Sequence, residues 1–345
     1  MAEGMPIPPD IGGKRIAPPA QPLKNGDQLR TTPAKPRASF RKRLLIGLAI
    51  LLGVPVLGVA ILAGVIYYQV HQTNGAVLTG GRQRSYLLHV PKSYQPGRPT
   101  PLVISLHGFS EWPAHLMEIS RWNRLAEEFG FLVVYPSGTG LPLRWHCNGL
   151  VADASKAQQD VQFISDLIDH LAWSYTLDTN RVYANGLSNG AGMSFLLACR
   201  LSERIAAMGG VSGAYLLPWT AWQTQRPVPA IIFHGTTDPI VPFHGGLAGP
   251  FHVPLPDIPK WVKTLAAHDE CQPTATPLPA VGSVSGVRYN GSDPNSEVVF
   301  YAVAGGGHSW PGGKPMPRRI VGHTTQDIDA TRLMWDFFQR HPKGK

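Results

Sequence analysis

Apolar positions are distributed along this chain in two different ways. Leu44 to Tyr68 is a run of 25 residues without one charged side chain. As a helix it measures about 37 Å, enough to cross a hydrocarbon core of about 30 Å. From residue 82 onward, short β-rich runs alternate with stretches of helical periodicity, a pattern that predicts a mostly parallel sheet covered by helices. The runs predict strands at Ser85–Val90, Leu102–His107, Phe131–Tyr135, Arg181–Ala184, Met208–Val211, Ala230–His234 and Val298–Ala302. Helices are predicted at Leu116–Glu128, Ala157–Tyr175, Ala191–Leu201, Pro259–Ala267 and Gln326–His341. In the second of these, Val161, Ile164, Leu167, Ile168 and Leu171 recur at helical spacing and define one buried stripe.

These patterns divide the chain into a basic, proline-rich tail (1–43), a transmembrane helix (44–68), a linker (69–81) and one enzyme-sized domain (82–345). The tail has too few large apolar side chains to offset chain entropy and is expected to be disordered. Against a cleaved signal peptide stand the length of the apolar run and the 43 residues before it.

The net charge of +9 suggests nucleic acid until it is apportioned. Residues 1–43 hold nine Lys or Arg against three acids, and everything after them nets only +3. The excess therefore belongs to the membrane flank, where it predicts a cytoplasmic N-terminus and a periplasmic or extracellular domain. Nucleic-acid binding loses most of its support, and no nucleic-acid partner is expected.

Three cysteines, Cys147, Cys199 and Cys271, are too few for a disulfide scaffold and lack zinc-ligand spacing. At most one bridge, Cys147 to Cys271, is open to them. No metal or organic cofactor is expected, because no metalloprotease, phosphate-loop or dinucleotide motif sits between a strand and a helix.

The chemistry concentrates in three loops. An apolar strand runs into Gly186-Leu187-Ser188-Asn189-Gly190 and then into a helix, the context in which Gly-x-Ser-x-Gly becomes a nucleophile elbow. Such an elbow needs an acid and then a histidine downstream, each after a strand. Asp238 follows the strand ending at His234, and His308 follows the strand ending at Ala302 between two glycine clusters. For the oxyanion the expected donors are the backbone amides of Asn189 and of Phe109, in the turn after Leu102–Gly108. Trp112, Trp145, Phe243 and Trp310 are candidate walls of an apolar or aromatic substrate pocket. Pro239 to Pro259 is expected to form a loop over the site.

At these residues the chain resembles the extracellular esterases grouped with polyhydroxybutyrate depolymerases and with the feruloyl and acetylxylan esterases of carbohydrate esterase family one. The resemblance covers about residues 82–342. It rests on Leu106-His107-Gly108, Val133–Pro136, Asp160–Ile164, Arg181 through Gly190, His234–Pro242, Gly307–Gly313 and Trp335–Phe338. It implies an α/β-hydrolase fold, a mostly parallel central sheet with helices on both faces. It also implies ester hydrolysis by Ser188, Asp238 and His308. The chain departs from the family's pattern at Phe109-Ser110-Glu111-Trp112, after the His-Gly pair.

The expected function is hydrolysis of an extracytoplasmic carboxylic ester, small or polymeric, of polyhydroxyalkanoate, feruloyl or acetyl type, through an acyl-enzyme. The alternatives are a cell-envelope acyltransferase with the same triad and a catalytically silent surface-binding module on the same fold.

Overall fold

The computed structural model describes residues 39–147, 154–221, 224–248, 253–293 and 295–344. The predicted tail up to residue 38 lies outside the described residues. Helix α1, Phe40–Val70, begins within the stretch assigned to the tail and contains Pro55. By length and composition it is able to cross a membrane.

The enzyme domain is built on one ten-stranded sheet. In chain order its elements are β1 (Gly75–Thr79), β2 (Arg82–His89), β3 (Thr100–Leu106), α2 (Pro113–Ser120), α3 (Trp122–Phe129), β4 (Leu132–Pro136), α4 (Ala154–Ser174), β5 (Leu177–Leu187) and α5 (Asn189–Arg200). There follow β6 (Ala207–Val211), β7 (Ala230–Gly235), the small pair β8 (Gly246–Ala248) and β9 (Val253–Leu255), and α6 (Ile258–His268). The chain closes with β10 (Thr276–Val281), β11 (Val284–Asn290), β12 (Glu297–Val303), α7 (Arg318–Val321) and α8 (Ala330–Arg340). The spatial order is β1-β2-β4-β3-β5-β6-β7-β12-β11-β10. From β4 to β12 the neighbours are parallel, and the strands beyond them on both sides are antiparallel. Parallel strands covered on both faces are apolar along their whole length. Accordingly β3, β4, β6 and β7 are buried at every position.

The two faces read directly from alternation along the strands. Leu102, Ile104 and Leu106 join one core with Leu132, Val134, Val182 and Ala184, against α4, α5 and α6. Val103, Val133, Tyr135 and Tyr183 point the other way, against α2, α3 and α8. There Tyr183 stacks on Phe338 at 4.7 Å and Phe131 on Trp335 at 3.9 Å.

Three features depart from the sequence expectation. The helix expected over Leu116–Glu128 is two helices, broken at Arg121, whose φ is 60°. The carbonyls that would continue α2 are taken elsewhere: Ile119 O accepts from Lys314 N (3.0 Å) and Ser120 O from Thr331 Oγ1 (2.5 Å). Within the stretch assigned to the linker, β1 pairs with β2. The β10–β11 hairpin has no counterpart among the predicted strands, because Pro277 and Pro279 mask it; on an outermost strand a missing amide donor costs little.

One buried carboxylate opposes the fold. Asp269, at the C-terminal end of α6, is 1% exposed, and neither of its oxygens makes a hydrogen bond of normal geometry among the described residues. Burial raises its pKa well above the ordinary carboxylate value, only partly offset by the Val228 backbone and the Arg226 charge. A carboxyl group whose pKa is raised by folding costs stability as pH climbs from the unfolded value of about 4 toward the folded one. Asp269→Asn should therefore raise Tm at neutral pH, by a free energy on the order of 1 kcal/mol, and leave it unchanged near pH 4. Differential scanning fluorimetry across that range measures the difference.

Candidate active site

The three loops named by the motifs leave the carboxyl ends of β5, β7 and β12, which lie along one edge of the sheet. Ser188 sits between β5 and α5 with φ 56° and ψ −117°, a conformation that non-glycine residues avoid and that marks a strained turn. The flanking glycines are required by contact. A Cβ on Gly190 would lie 2.0 Å from the Leu106 carbonyl oxygen, and one on Gly186 would lie 2.4 Å from the carbonyl carbon of Gly190. The turn is fixed by the Ser188 amide, which donates to Val211 O (2.9 Å), and by its carbonyl, which accepts from Gly192 N and Ala214 N (3.1 Å each).

Asp238 and His308 meet. The His308 Nδ1–H donates to Asp238 Oδ2 at 2.8 Å, both residues being buried. Oδ1 of Asp238 accepts two backbone amides, Ile240 N and Val241 N, at 2.8 Å each. Burial alone would raise the Asp238 pKa, but the hydrogen bond and charge of His308, the charge of His234 and the Val241 amide outweigh it and hold it below the usual carboxylate value. A carboxylate can only accept, so the proton of this bond sits on His308 Nδ1, and in the neutral ring Nε2 is the nitrogen that keeps a lone pair. The His308 backbone is held by Val321 O, which accepts its amide at 2.5 Å, and the preceding Gly307 amide donates to His323 O at 2.8 Å.

The two other histidines at this edge are each fixed by hydrogen bonds to the neighbouring loops. His234 Nε2 donates to Val241 O (2.8 Å), 3.5 Å from Asp238 Oδ2, and burial lowers its pKa. His107 Nδ1 donates to Gly108 O (2.8 Å) while its Nε2 accepts from Gly138 N (2.9 Å); burial lowers its pKa as well. This ring staples the loop after β3 to the loop after β4.

Among the described residues the amides of Phe109 and Asn189 donate to nothing, as free oxyanion donors must. The Phe109 side chain is 46% exposed. Glu111, one of the residues that depart from the family's pattern, shapes this loop: its Oε2 accepts the Gly108 amide at 2.8 Å. Burial opposes its ionisation, yet His115, the Gly108 amide and His107 hold its pKa below the usual value.

The aromatic positions separate. Trp145 and Trp310 are each 1% exposed and belong to the two cores rather than to an open wall. Trp145 Nε1 donates to His107 O (3.1 Å), and Trp310 Nε1 to Thr331 Oγ1 (2.9 Å), so both buried indoles place their one donor. Trp112 and Phe243 are half-buried, Trp112 against the His115 ring and Phe243 against the His234 ring. Part of the Pro239–Pro259 loop, residues 249–252, lies outside the described residues; β8 and β9 pair within the rest.

Two supporting side chains carried no legible role in the sequence. Asn189 does more than follow Ser188: its Oδ1 accepts Trp145 N (2.7 Å) and its Nδ2 donates to Trp145 O (3.0 Å), locking the loop after β4 onto the elbow. Asp160, 1% exposed, accepts from Arg84 Nη1 (2.9 Å) and from both the backbone N (2.9 Å) and Nδ1 (3.0 Å) of His146. The Asp160 segment was visible as a motif, but its partner Arg84 is 76 positions away. Cys147 and Cys271 do not pair with each other. The Cys147 thiol instead meets the Asn189 side chain at 3.2 Å, and burial pushes its pKa up to about 12.

The chain is similar to known esterases. The family described as esterase PHB depolymerase matches residues 84–218. NocK of Nocardia uniformis subsp. tsuyamanensis, which is named as an esterase, is 28% identical over 283 residues, 76% of this chain and 80% of its own. Feruloyl esterase C of Emericella nidulans is 28% identical over 273 residues, 77% of this chain and 87% of its own. Among solved structures, acetyl xylan esterase from Aspergillus awamori superposes with a TM-score of 0.54 at 16% identity, covering 77% of this chain and 98% of that one. That likeness establishes the α/β-hydrolase fold. Over residues 84–218 the chain is similar to the esterase PHB depolymerase family, and the chain is an esterase.

Proposed function

We propose that the chain hydrolyses carboxylic esters through an acyl-enzyme on Ser188, with His308 as base and Asp238 behind it. The single observation that carries this reading is the 2.8 Å His308–Asp238 bond on the same sheet edge as the strained Ser188 elbow. Ser188 Oγ attacks the ester carbonyl and its proton passes to His308 Nε2, while the amides of Phe109 and Asn189 receive the oxyanion. Collapse of the tetrahedral intermediate breaks the bond to the alkoxy oxygen, which leaves with the proton from His308. Water then repeats the sequence on the acyl-enzyme, giving the free acid and restoring Ser188.

The substrate class is a feruloyl, acetyl-sugar or hydroxyalkanoate ester, in keeping with the feruloyl esterase relative and the family description. The setting is extracytoplasmic, supported by a helix able to span a membrane and by the basic residues before it. A reporter fused after Lys345 should be inaccessible from the cytoplasm.

A panel of p-nitrophenyl, feruloyl, acetyl-sugar and hydroxyalkanoate esters tests the reading. One class should exceed the others in kcat/KM, and release of acid should equal release of alcohol. If an added sugar or lipid acceptor takes the acyl group in preference to water, the chain is an acyltransferase. If none of the esters turns over, the fold serves binding alone.

A further inference from the structure

On the far flank of Ser188 from His308 lies a cavity of about 430 Å³. Because β2 runs antiparallel to β4, the start of β2 stands beside the carboxyl end of β4, so this cavity opens on the same sheet edge as the nucleophile. Its wall includes Thr139, Arg144 and His146 from the loop after β4, the loop that Asn189 locks onto the elbow through Trp145. It includes Arg82 and Arg84 from β2 and Asp160 from α4.

The charges of this wall do not balance. Asp160 is the only carboxylate among its described residues, and both its oxygens are spent on Arg84 and His146. Arg84 is further held by Ser137 O (3.1 Å) and lies over the Phe163 ring at 4.1 Å, so its position is fixed. Arg82 and Arg144 have no ion-pair partner among the described residues. Arg82 lies close enough for its charge to work against that of Arg84, whose pKa burial already lowers. A cavity of this size with unneutralised guanidinium groups is suited to an anion, and the planar fork of arginine matches a carboxylate in particular.

The side of the ester that reaches it follows from the proposed triad. His308 must deliver its proton to the leaving alcohol, which draws the alcohol toward the β12 flank. The β4 flank is left for the acyl group. We propose that this cavity is an acyl subsite for a carboxylate, so that the preferred substrates are half-esters whose acyl group carries a second, free acid. The proposal rests on the triad assignment above, and its test separates the two.

The test compares mono-p-nitrophenyl succinate, glutarate and adipate with neutral p-nitrophenyl esters of matching length, in the wild-type chain, Arg82→Gln, Arg144→Gln and the double variant. In the wild type at least one half-ester should exceed its neutral counterpart in kcat/KM. Each arginine removed should lower that ratio by roughly tenfold, the usual loss of a charge-assisted hydrogen bond, while neutral esters keep their kcat/KM. A ratio below one for every half-ester in the wild type, or a ratio unmoved in the double variant, overturns the subsite. Neutral esters that are not hydrolysed at all, or that Ser188→Ala hydrolyses as well as the wild type, point instead to failure of the triad.

Discussion

Asp238→Asn should cut kcat by up to about ten thousandfold with the fold intact, the size of loss known when an amide replaces a triad acid. The structure supplies the reason. The amide oxygen can keep the place of Oδ1, where it still accepts Ile240 N and Val241 N, so the turn survives. The NH2 group must then face His308 Nδ1, which can only accept from it. The imidazole proton is displaced to Nε2, and the lone pair needed for Ser188 is lost. A residue that merely capped this turn would tolerate the change with little loss of turnover. Two other aspartates of the same half of the chain are engaged elsewhere: Asp257 caps α6 through Lys260 N (2.9 Å), and Asp327 accepts from Ser283 N and Oγ (2.7 Å each).

The same substitution has a signature in stability against pH. Folding depresses the Asp238 pKa, so its carboxylate stabilises the fold fully above the unfolded value of about 4, and that contribution fades as pH falls through the folded value. Asp238→Asn should flatten the acid limb of a Tm profile. Asp269→Asn acts in the opposite pH direction, which makes the pair a check on both signs.

The second large effect is expected at the nucleophile. Ser188→Ala should lower kcat by roughly a millionfold, as removal of the nucleophile does in a serine hydrolase, while Tm stays close to that of the wild type. The elbow is held by main-chain bonds and by its neighbouring glycines, not by the hydroxyl, which makes no capping hydrogen bond. Adding Asp238→Asn to Ser188→Ala should cost almost nothing more, because the members of one catalytic unit are far from additive. A double variant that loses the product of the two single effects would mean that the residues act separately.

How much of this was legible in the sequence depended on whether the determinant was local. Ser188, Asp238 and His308 each follow an apolar strand with a glycine or proline within two positions, so local pattern predicted all three for one sheet edge. The buried stripe of α4 was legible for the same reason, and Val161, Ile164, Leu167, Ile168 and Leu171 are all buried. Contacts that join distant segments left no such trace. The break at Arg121 is tied to a loop nearly two hundred residues away, where Gly312 O accepts from its guanidinium. Trp145 and Trp310 looked like pocket walls because they flank site loops, and only packing showed them to be core. Edge strands were missed where prolines interrupt β10 and where β1 falls in the polar stretch read as a linker.

The acyl-enzyme itself provides the most direct test of the central claim. The chain is mixed with a slowly deacylated ester, quenched in acid and digested, and the peptide containing Ser188 is weighed by mass spectrometry. The account predicts that this peptide gains the mass of the acyl group within the first turnover, and that Ser188→Ala gains none. An acyl group carried on any other residue, or steady turnover of the ester by Ser188→Ala at the wild-type rate, would contradict it.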